Sequence, residues 1–283
     1  MYYLVIIISV ISYVASNLLF AKHIRQQGTF LVNFYRTVSL TIIMSGLLFF
    51  ANFSHFSLHY LGLSVLFGFC GVIYFLSHLK AYQFLPAGIV SSIISLESIV
   101  VIVLSYFLYS EQLTLYGYIG ALLLIFSGIL LGCFKSNHSH LDTRWYLGIL
   151  LAFIGMLGGA FWGFGFAYLS RELDIFTGVF LSELSIFLIL STFILLFKSL
   201  RKNIILDKKV FGNIFISSFA PALATSMFFY STVLGDISVS ILFLSLVPIL
   251  LSISSYFIFN EKLHWYQWLL IIVGFIGLLF VNL

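Results

Sequence analysis

The chain has 283 residues, of which 62% are hydrophobic and 8% are charged, and its formal net charge is +4. Soluble domains carry roughly 25% charged residues, so this composition excludes a soluble monomer and indicates a chain embedded in the lipid bilayer. The small positive charge gives no reason to expect nucleic acid as a partner. The sequence also predicts neither a metal site nor a cofactor.

Ten apolar runs follow one another along the chain, each close to the length of about 20 residues that a helix needs to span the bilayer. They cover residues 2–21, 31–51, 59–79, 86–109, 113–134, 145–169, 175–197, 211–231, 236–259 and 263–282. The predicted fold class is therefore an all-α membrane protein with ten transmembrane helices.

The basic residues predict how the chain is oriented in the membrane. The odd-numbered connections contain eleven of the thirteen Lys and Arg residues, whereas the even-numbered connections contain Arg171 alone and Arg36 lies inside a run. Cytoplasmic loops are enriched in Lys and Arg. We therefore expect a multi-pass protein of the cell's inner membrane, with odd-numbered connections in the cytoplasm and both termini outside.

An internal repeat divides the chain into two halves. Residues 95–116 align without a gap to residues 245–266, and nine of the twenty-two positions are identical. The identical pairs include Glu111 with Glu261, which apolar composition alone would not readily produce. The halves are predicted as residues 1–134 and 145–283, joined by a cytoplasmic linker at 135–144 into one integrated transport domain.

The number of helices in each half has a topological consequence. A unit of five spans returns the chain on the opposite side of the membrane, so the second copy must be inverted relative to the first. Inverted repeats related by a pseudo-two-fold axis in the membrane plane are typical of transporters that work by alternating access. The predicted architecture is therefore an inverted five-plus-five repeat.

Several motifs of the first half return in the second. The first half contains Leu85-Pro86-Ala87-Gly88, Ser95-Leu96-Glu97 and Ser110-Glu111-Gln112-Leu113-Thr114, and the second contains Leu246-Val247-Pro248 and Asn260-Glu261-Lys262-Leu263. With these motifs the chain resembles the EamA-type transporters of the drug/metabolite transporter superfamily over nearly its whole length. The resemblance implies ten helices in an inverted five-plus-five repeat and transport of amino acids and other small metabolites.

Glu97 is the first candidate for a functional residue, because it lies near the middle of the fourth apolar run. A carboxylate at the bilayer centre costs roughly 2.5–3.5 kcal/mol on insertion scales, so it should face a cavity or a partner. It could couple transport to protons, bind a cation or accept a hydrogen bond from a substrate amine. A protonated Glu97 that bonds to a neighbouring helix is the structural alternative, and both interpretations remain open.

Three further residues lie inside apolar runs. Glu183 has a short side chain that cannot extend as far toward an interface, which slightly favours a place in a cavity. Arg36 has a long stem that can extend to the cytoplasmic interface, which favours a structural role. Their runs enter from opposite faces, so we expect no direct salt bridge. Trp162, beside glycines in the sixth run, is predicted to form an aromatic wall beside Glu97 that holds an ammonium group by cation–π attraction.

The remaining candidates are less specific. Four polar residues could contact substrate or simply bond neighbouring helices: Tyr74, His78, Asn17 and Tyr230. Two prolines within apolar runs could mark bends that gate a cavity: Pro221 and Pro248. Glu111 and Glu261 each follow an N-cap type of residue, Ser110 or Asn260, and are expected to stabilise the start of the next helix.

Together these features predict a secondary active transporter that moves a small metabolite by alternating access. The substrate is expected to be an amino acid or a cationic or zwitterionic amine, with the proton as a candidate coupling ion. A lipid-flippase-like or membrane-assembly protein is the alternative. An intramembrane enzyme is disfavoured because the sequence contains no Gly-x-Ser-x-Gly or His-Glu-x-x-His motif. The expected partners are a small-molecule substrate and membrane lipid, and both a monomer and a homodimer remain open.

Overall fold

The structure is a computed structural model that describes residues 1–54, 56–81, 83–85, 87–134, 145–197, 207–259 and 264–281. Every regular element within these ranges is a helix. The helices are α1 (Tyr2–Gln27), α2 (Thr29–Ser45), α3 (Leu58–Ala81), α4 (Ala87–Ile94), α5 (Glu97–Tyr109), α6 (Leu115–Phe134), α7 (Trp145–Glu172), α8 (Ile175–Leu196), α9 (Lys208–Ser217), α10 (Phe219–Leu234), α11 (Ile237–Leu244), α12 (Val247–Phe259) and α13 (Trp265–Val281), with a 3-10 helix (Gly46–Phe50) after α2.

Eight helical segments of the described chain are long and apolar enough to cross a membrane. They are Tyr2–Ile24, Thr29–Phe50, Leu58–Ala81, Ser92–Tyr109, Trp145–Glu172, Ile175–Leu196, Lys208–Leu234 and Ile237–Ser254. Two shorter apolar helices, Leu115–Leu131 and Trp265–Val281, accompany them. These lengths and compositions agree with the predicted all-helical, multi-pass membrane protein.

Three of the predicted runs are not uniform helices. The run at 86–109 is divided into α4 and α5, the run at 211–231 lies across α9 and α10, and the run at 236–259 is divided into α11 and α12. Pro221 and Pro248 consequently lie in the first turns of α10 and α12 rather than in the middle of a helix. Proline is tolerated in a first turn because the missing N–H has no partner within the helix there.

The breaks in the two halves occur at corresponding positions. Helix α4 begins and ends 150 residues before α11, and α5 begins and ends 150 residues before α12. At each break the backbone bonds to the third preceding residue, as in a 3-10 helix: Leu96 N donates to Ile93 O at 3.2 Å, and Leu246 N to Phe243 O at 3.0 Å. Pro248 removes one donor just after the second break, whereas the first has a serine hydroxyl that bonds back, Ser98 Oγ to Ser95 O at 2.8 Å.

The chain folds into two compact units, and each unit draws on both halves of the sequence. Unit 1 consists of Met1–Leu76 and Phe161–Leu234, and unit 2 of Ser77–Ala160 and Gly235–Leu283. In unit 1, α1 packs along α10, and Ser9 Oγ donates to Ala224 O at 2.8 Å. An apolar core lies beside this contact and contains Phe20, Leu31, Val32, Tyr35 and Ile214.

Unit 2 is built around a close contact between α6 and α13. A Cβ atom added at Gly277 would lie 2.7 Å from the carbonyl oxygen of Gly120, so neither position has room for a side chain. Small residues allow helices to approach this closely in membranes. The apolar residues Ala121, Ile125, Leu242 and Val281 pack around the contact.

Glu111 stabilises a helix start, but not the one predicted from the sequence. Its carboxylate accepts hydrogen bonds from Ile237 N at 3.2 Å and from Ser238 N at 3.0 Å and Oγ at 2.9 Å, so it caps α11. Ser110 ends α5 in the left-handed conformation, with φ 55°, and Thr114 Oγ1 accepts from Gly117 N at the start of α6. The predicted role of Ser110 as an N-cap is therefore wrong.

Other predictions concern residues that the structure does not describe. Asn260 and Glu261, the second copy of this motif, lie outside the described residues, as do Pro86 and the linker 135–144.

Candidate functional site

Unit 1 contains several buried side chains with polar atoms that have no hydrogen-bond partner among the described residues, and four of them carry amide, guanidinium, indole or carboxylate groups. The exposed fractions are 1% for Asn33, 7% for Arg36, 6% for Trp162 and 0% for Glu183. The unpaired atoms are Asn33 Oδ1, Arg36 Nη1, Trp162 Nε1 and both carboxylate oxygens of Glu183. We call these four residues the buried polar cluster.

Helix α2 supplies Asn33 and Arg36, which lie three residues apart and therefore on one helix face. Asn33 Nδ2 donates to Phe75 O at 3.3 Å. The Arg36 guanidinium lies over the Phe75 ring, with Cζ 3.9 Å from the ring centroid. Such a cation–π contact positions the guanidinium, and Nη1 keeps its N–H groups available.

Helix α8 supplies Glu183. Thr41 Oγ1 donates to the Glu183 backbone carbonyl at 3.3 Å, which fixes the register of α8 against α2. Thr41 is five residues beyond Arg36, a distance of about 7.5 Å along the helix axis. Arg36 is the cation whose field acts on the Glu183 carboxylate, yet no hydrogen bond joins the two side chains. The arginine and the glutamate therefore interact through their charges without a direct hydrogen bond.

Aromatic rings surround the cluster on the side of α3 and α7. The Trp162 and Tyr74 rings are stacked, with centroids 6.0 Å apart and planes 13° apart. The Trp162 ring also meets Phe75 at 5.6 Å and Phe229 at 5.9 Å in edge contacts. A Cβ atom on Gly71 would lie 2.7 Å from Trp162 Cδ1, so glycine is needed there for the indole to pack against α3.

The arrangement combines opposite charges with ring faces in a region closed to solvent. A buried polar atom without a partner is rare in folded proteins and calls for an explanation such as water, an ion or a functional role. The donors Arg36 Nη1 and Trp162 Nε1 and the acceptors Asn33 Oδ1 and Glu183 are the groups that a small polar molecule would engage. An adjacent crevice is narrower than a water molecule and is lined by Asn33, Thr37, Val72, Phe75, Leu76, Ile186 and Leu190.

Glu97 is not a member of the buried polar cluster. It is the first residue of α5, directly after the tightened turn at 95–96, and it is partly exposed. It belongs to unit 2, whereas Trp162 belongs to unit 1. The rings packed around Trp162 are those of Tyr74, Phe75 and Phe229, so the structure supplies an aromatic wall to the buried polar cluster.

The other predicted residues are distributed over several helices. His78 is buried on α3, and a Cβ atom on Gly155 of α7 would lie 3.2 Å from its backbone nitrogen. Asn17 on α1 and Tyr230 on α10 are partly buried. Sequence reasoning missed Asn33. Its position three residues before Arg36 on the same predicted helix was the signal that could have identified it.

Comparisons with known proteins complete this picture. A comparison with curated proteins gives no match. Among solved structures, one titled only as the crystal structure of a protein is similar over 99% of this chain and 95% of its own, with a TM-score of 0.76 and 12% sequence identity, which shows a shared fold. The model of the EamA-like transporter family matches residues 1–133 and 146–283. The chain therefore belongs to the EamA-like transporter family.

Proposed function

We propose that this transporter moves a small amine-bearing metabolite across the cell's inner membrane by alternating access. The observation that carries the proposal is Glu183, which is completely buried while neither carboxylate oxygen has a hydrogen-bond partner within the described part of the chain. An isolated ionised carboxylate is very costly to bury unless a partner compensates it. The ammonium group of a substrate would supply both the opposite charge and the missing donors.

The aromatic side chains support the same substrate chemistry. Ring faces attract cations, and tryptophan does so most strongly. Tyr74, Phe75 and Trp162 form one contiguous aromatic surface, and Phe75 already accepts the Arg36 guanidinium on its face. An amine that reaches Glu183 would therefore bind beside rings suited to its charge and to an apolar substituent.

The proposed transport cycle rests on an inverted repeat of ten spans. If each broken pair is counted as one span and the two shorter apolar helices are included, the helices number five in each half. The breaks at 95–96 and 245–246 lie at the same offset as the sequence repeat, which supports a duplicated unit. Discontinuous helices in corresponding positions of two halves are typical of alternating-access transporters. We place both termini outside and the odd-numbered connections in the cytoplasm.

We assign Glu97 to proton coupling. It is partly exposed and follows a stretch of 3-10 backbone, where helix geometry can change at low cost. An acid within a membrane span is a functional candidate by default. Protonation of Glu97 would neutralise its carboxylate while movement of α5 takes the side chain through the apolar part of the membrane.

The test is amine uptake into proteoliposomes, driven by a pH gradient. We expect Glu183→Gln to abolish uptake, because the amide cannot balance an ammonium charge. Glu97→Gln should abolish stimulation by the gradient while retaining exchange of internal for external substrate. The matched control is Glu172→Gln, which neutralises an exposed carboxylate at the end of α7 and should transport normally.

Two outcomes would overturn the proposal. Uptake by Glu183→Gln at the rate of the unmodified protein would remove the carboxylate from the site. Proteoliposomes that move no amine or amino acid, but redistribute labelled phospholipid between leaflets, would establish the lipid-flippase alternative instead.

A further inference from the structure

We infer that Arg36 and Trp162 are the donors that bind a carboxylate group of the substrate, so that the site selects a zwitterion over a simple amine. The inference rests on the proposed function, because it adds a second recognition element to the amine site at Glu183. It assigns Arg36 to substrate binding. The sequence favoured a structural role instead, because the long stem of Arg36 can extend to the cytoplasmic interface.

The first argument is the burial of Arg36. Its side chain is 7% exposed, and its guanidinium stays against the Phe75 ring within unit 1. Nη1 has no hydrogen-bond partner among the residues that the structure describes. A guanidinium that only anchors a helix would be expected to reach water or backbone carbonyls with its N–H groups. One whose Cζ lies over a ring and whose Nη1 is unpaired is instead available to a carboxylate, whose oxygens match its N–H geometry.

The second argument is the position of Trp162. The indole Nε1–H is buried and has no acceptor in the described ranges, although buried tryptophan usually finds one. The Trp162 ring contacts the same Phe75 ring that supports Arg36, with centroids 5.6 Å apart. Two unpaired donors therefore flank one aromatic side chain. A carboxylate has the several acceptor sites needed to engage both at once.

The third argument is charge balance. Arg36 and Glu183 contribute one positive and one negative charge, and they do not bond to each other. A simple amine would neutralise Glu183 and leave Arg36 buried without a counter-charge, which is strongly unfavourable. A zwitterion satisfies both groups, with its ammonium at Glu183 and Asn33 Oδ1 and its carboxylate at Arg36 and Trp162. Sites built to bond a polar group discriminate strongly against analogues that lack it.

The site must open before such a substrate can enter. The crevice beside Asn33 is narrower than a water molecule, and its walls come from α2, α3 and α8. Admission of a zwitterion therefore requires these helices to separate within unit 1. The charged groups of the substrate would then lose their contacts with water and gain contacts with the buried polar cluster.

The experiment compares each amino acid of a panel with its decarboxylated amine and its neutral amide, by thermal shift and by uptake into proteoliposomes. In the unmodified protein we expect at least one amino acid to bind about tenfold or more tightly than its amine, the gain typical of hydrogen bonds to charged groups. Arg36→Gln should lose this preference and retain binding of the amine. Trp162→Phe, which keeps a ring but removes the N–H, should reduce the preference by a smaller factor.

Arg171→Gln is the control for loss of an arginine in the same unit. Arg171 Nε donates to the Thr232 carbonyl at 2.6 Å, outside the buried polar cluster, so its variant should keep the preference. If Arg36→Gln fails to fold, Arg36→Lys retains the charge without the planar fork and should lower amino acid binding more than amine binding.

The outcomes separate this inference from the function on which it rests. Binding of amines at least as tight as that of their amino acids, or an unchanged preference in Arg36→Gln, would refute carboxylate recognition and leave the amine transporter intact. Failure of every amine and amino acid to bind would refute both.

Discussion

Glu183 shows how a single residue links stability to transport. Its carboxylate is buried without a hydrogen bond, and the nearby Arg36 does not pair with it. Replacement of buried charges by apolar groups of similar volume often stabilises proteins. Natural sites that keep such groups lose stability in exchange for activity.

We therefore predict that the double variant Arg36→Met/Glu183→Met, which removes both buried charges together, raises the stability of the purified protein while abolishing amine uptake. The gain should be about 1–3 kcal/mol, the usual penalty of an unsatisfied buried polar group. Thermal unfolding in detergent measures it, with Glu172→Met as the exposed control that should show no comparable gain. A lower melting temperature for the double variant would instead indicate that the two charged side chains stabilise the fold.

At this scale the sequence identified the candidates but not their neighbours. Polar groups are rare in apolar runs, and this rarity identifies Glu183, Arg36 and Trp162 as candidates. Their grouping depends on Phe75, whose ring contacts both Arg36 and Trp162 and whose carbonyl accepts from Asn33. Nothing local distinguishes Phe75 from the other 32 of the 33 phenylalanines, so this part of the site required the structure.

The capping of α11 by Glu111 is the clearest interaction between elements distant in sequence. One carboxylate satisfies two backbone N–H groups and one hydroxyl at the helix start. Carboxylates at this position also interact favourably with the positive end of the helix dipole.

We expect Glu111→Ala to destabilise the protein by about 1–2 kcal/mol, the upper part of the range for lost caps. Ser238→Ala removes only one of the three hydrogen bonds and should cost about 0.5–1.5 kcal/mol. Denaturation followed by the far-ultraviolet helix signal provides the comparison. Equal stability of Glu111→Ala and the unmodified protein would show that the cap contributes nothing.

The contact between α6 and α13 leads to a prediction about glycine. Alanine at Gly277 would place its Cβ 2.7 Å from a carbonyl oxygen, so the helices must move apart. We predict a loss of about 1–3 kcal/mol for Gly277→Ala, as is typical of overpacking. Gly62→Ala is the matched control, because its Cβ would meet no atom within 4 Å, and it should stabilise α3 by up to about 1 kcal/mol. Equal effects of the two substitutions would refute close packing as the cause.

Helix positions could be predicted from apolar length, whereas the interruptions within runs could not. The run at 86–109 is apolar on both sides of Ser95, so nothing in its hydropathy marks the change to 3-10 backbone. The break arises from serine hydroxyls that bond back to carbonyls and, in the second copy, from the ring of Pro248. The repeat aligns Ser98 with Pro248 at an offset of 150 residues. A helix break expected at Pro248 could therefore have been expected near Ser98 as well.

For the whole molecule, the distribution of basic residues gives a testable orientation. We predict that a membrane-impermeant maleimide added to intact cells labels Ser57→Cys but not Gln27→Cys, in a background where Cys70 and Cys133 are replaced. Both positions are exposed in the structure. Gln27→Cys should react only after the membrane is permeabilised. Labelling in the reverse pattern would invert the proposed topology.

The composition of the two units affects how the chain is made. Unit 1 needs residues up to Leu234, and unit 2 needs residues close to the C-terminus. A nascent chain that has emerged from the ribosome as far as residue 134 contains Glu111 without α11 and Gly120 without α13. The helices that are inserted first therefore remain in the lipid without their packing partners until the last helices are synthesised. Premature termination before Leu234 would leave neither unit complete, and such products should be removed by membrane proteases.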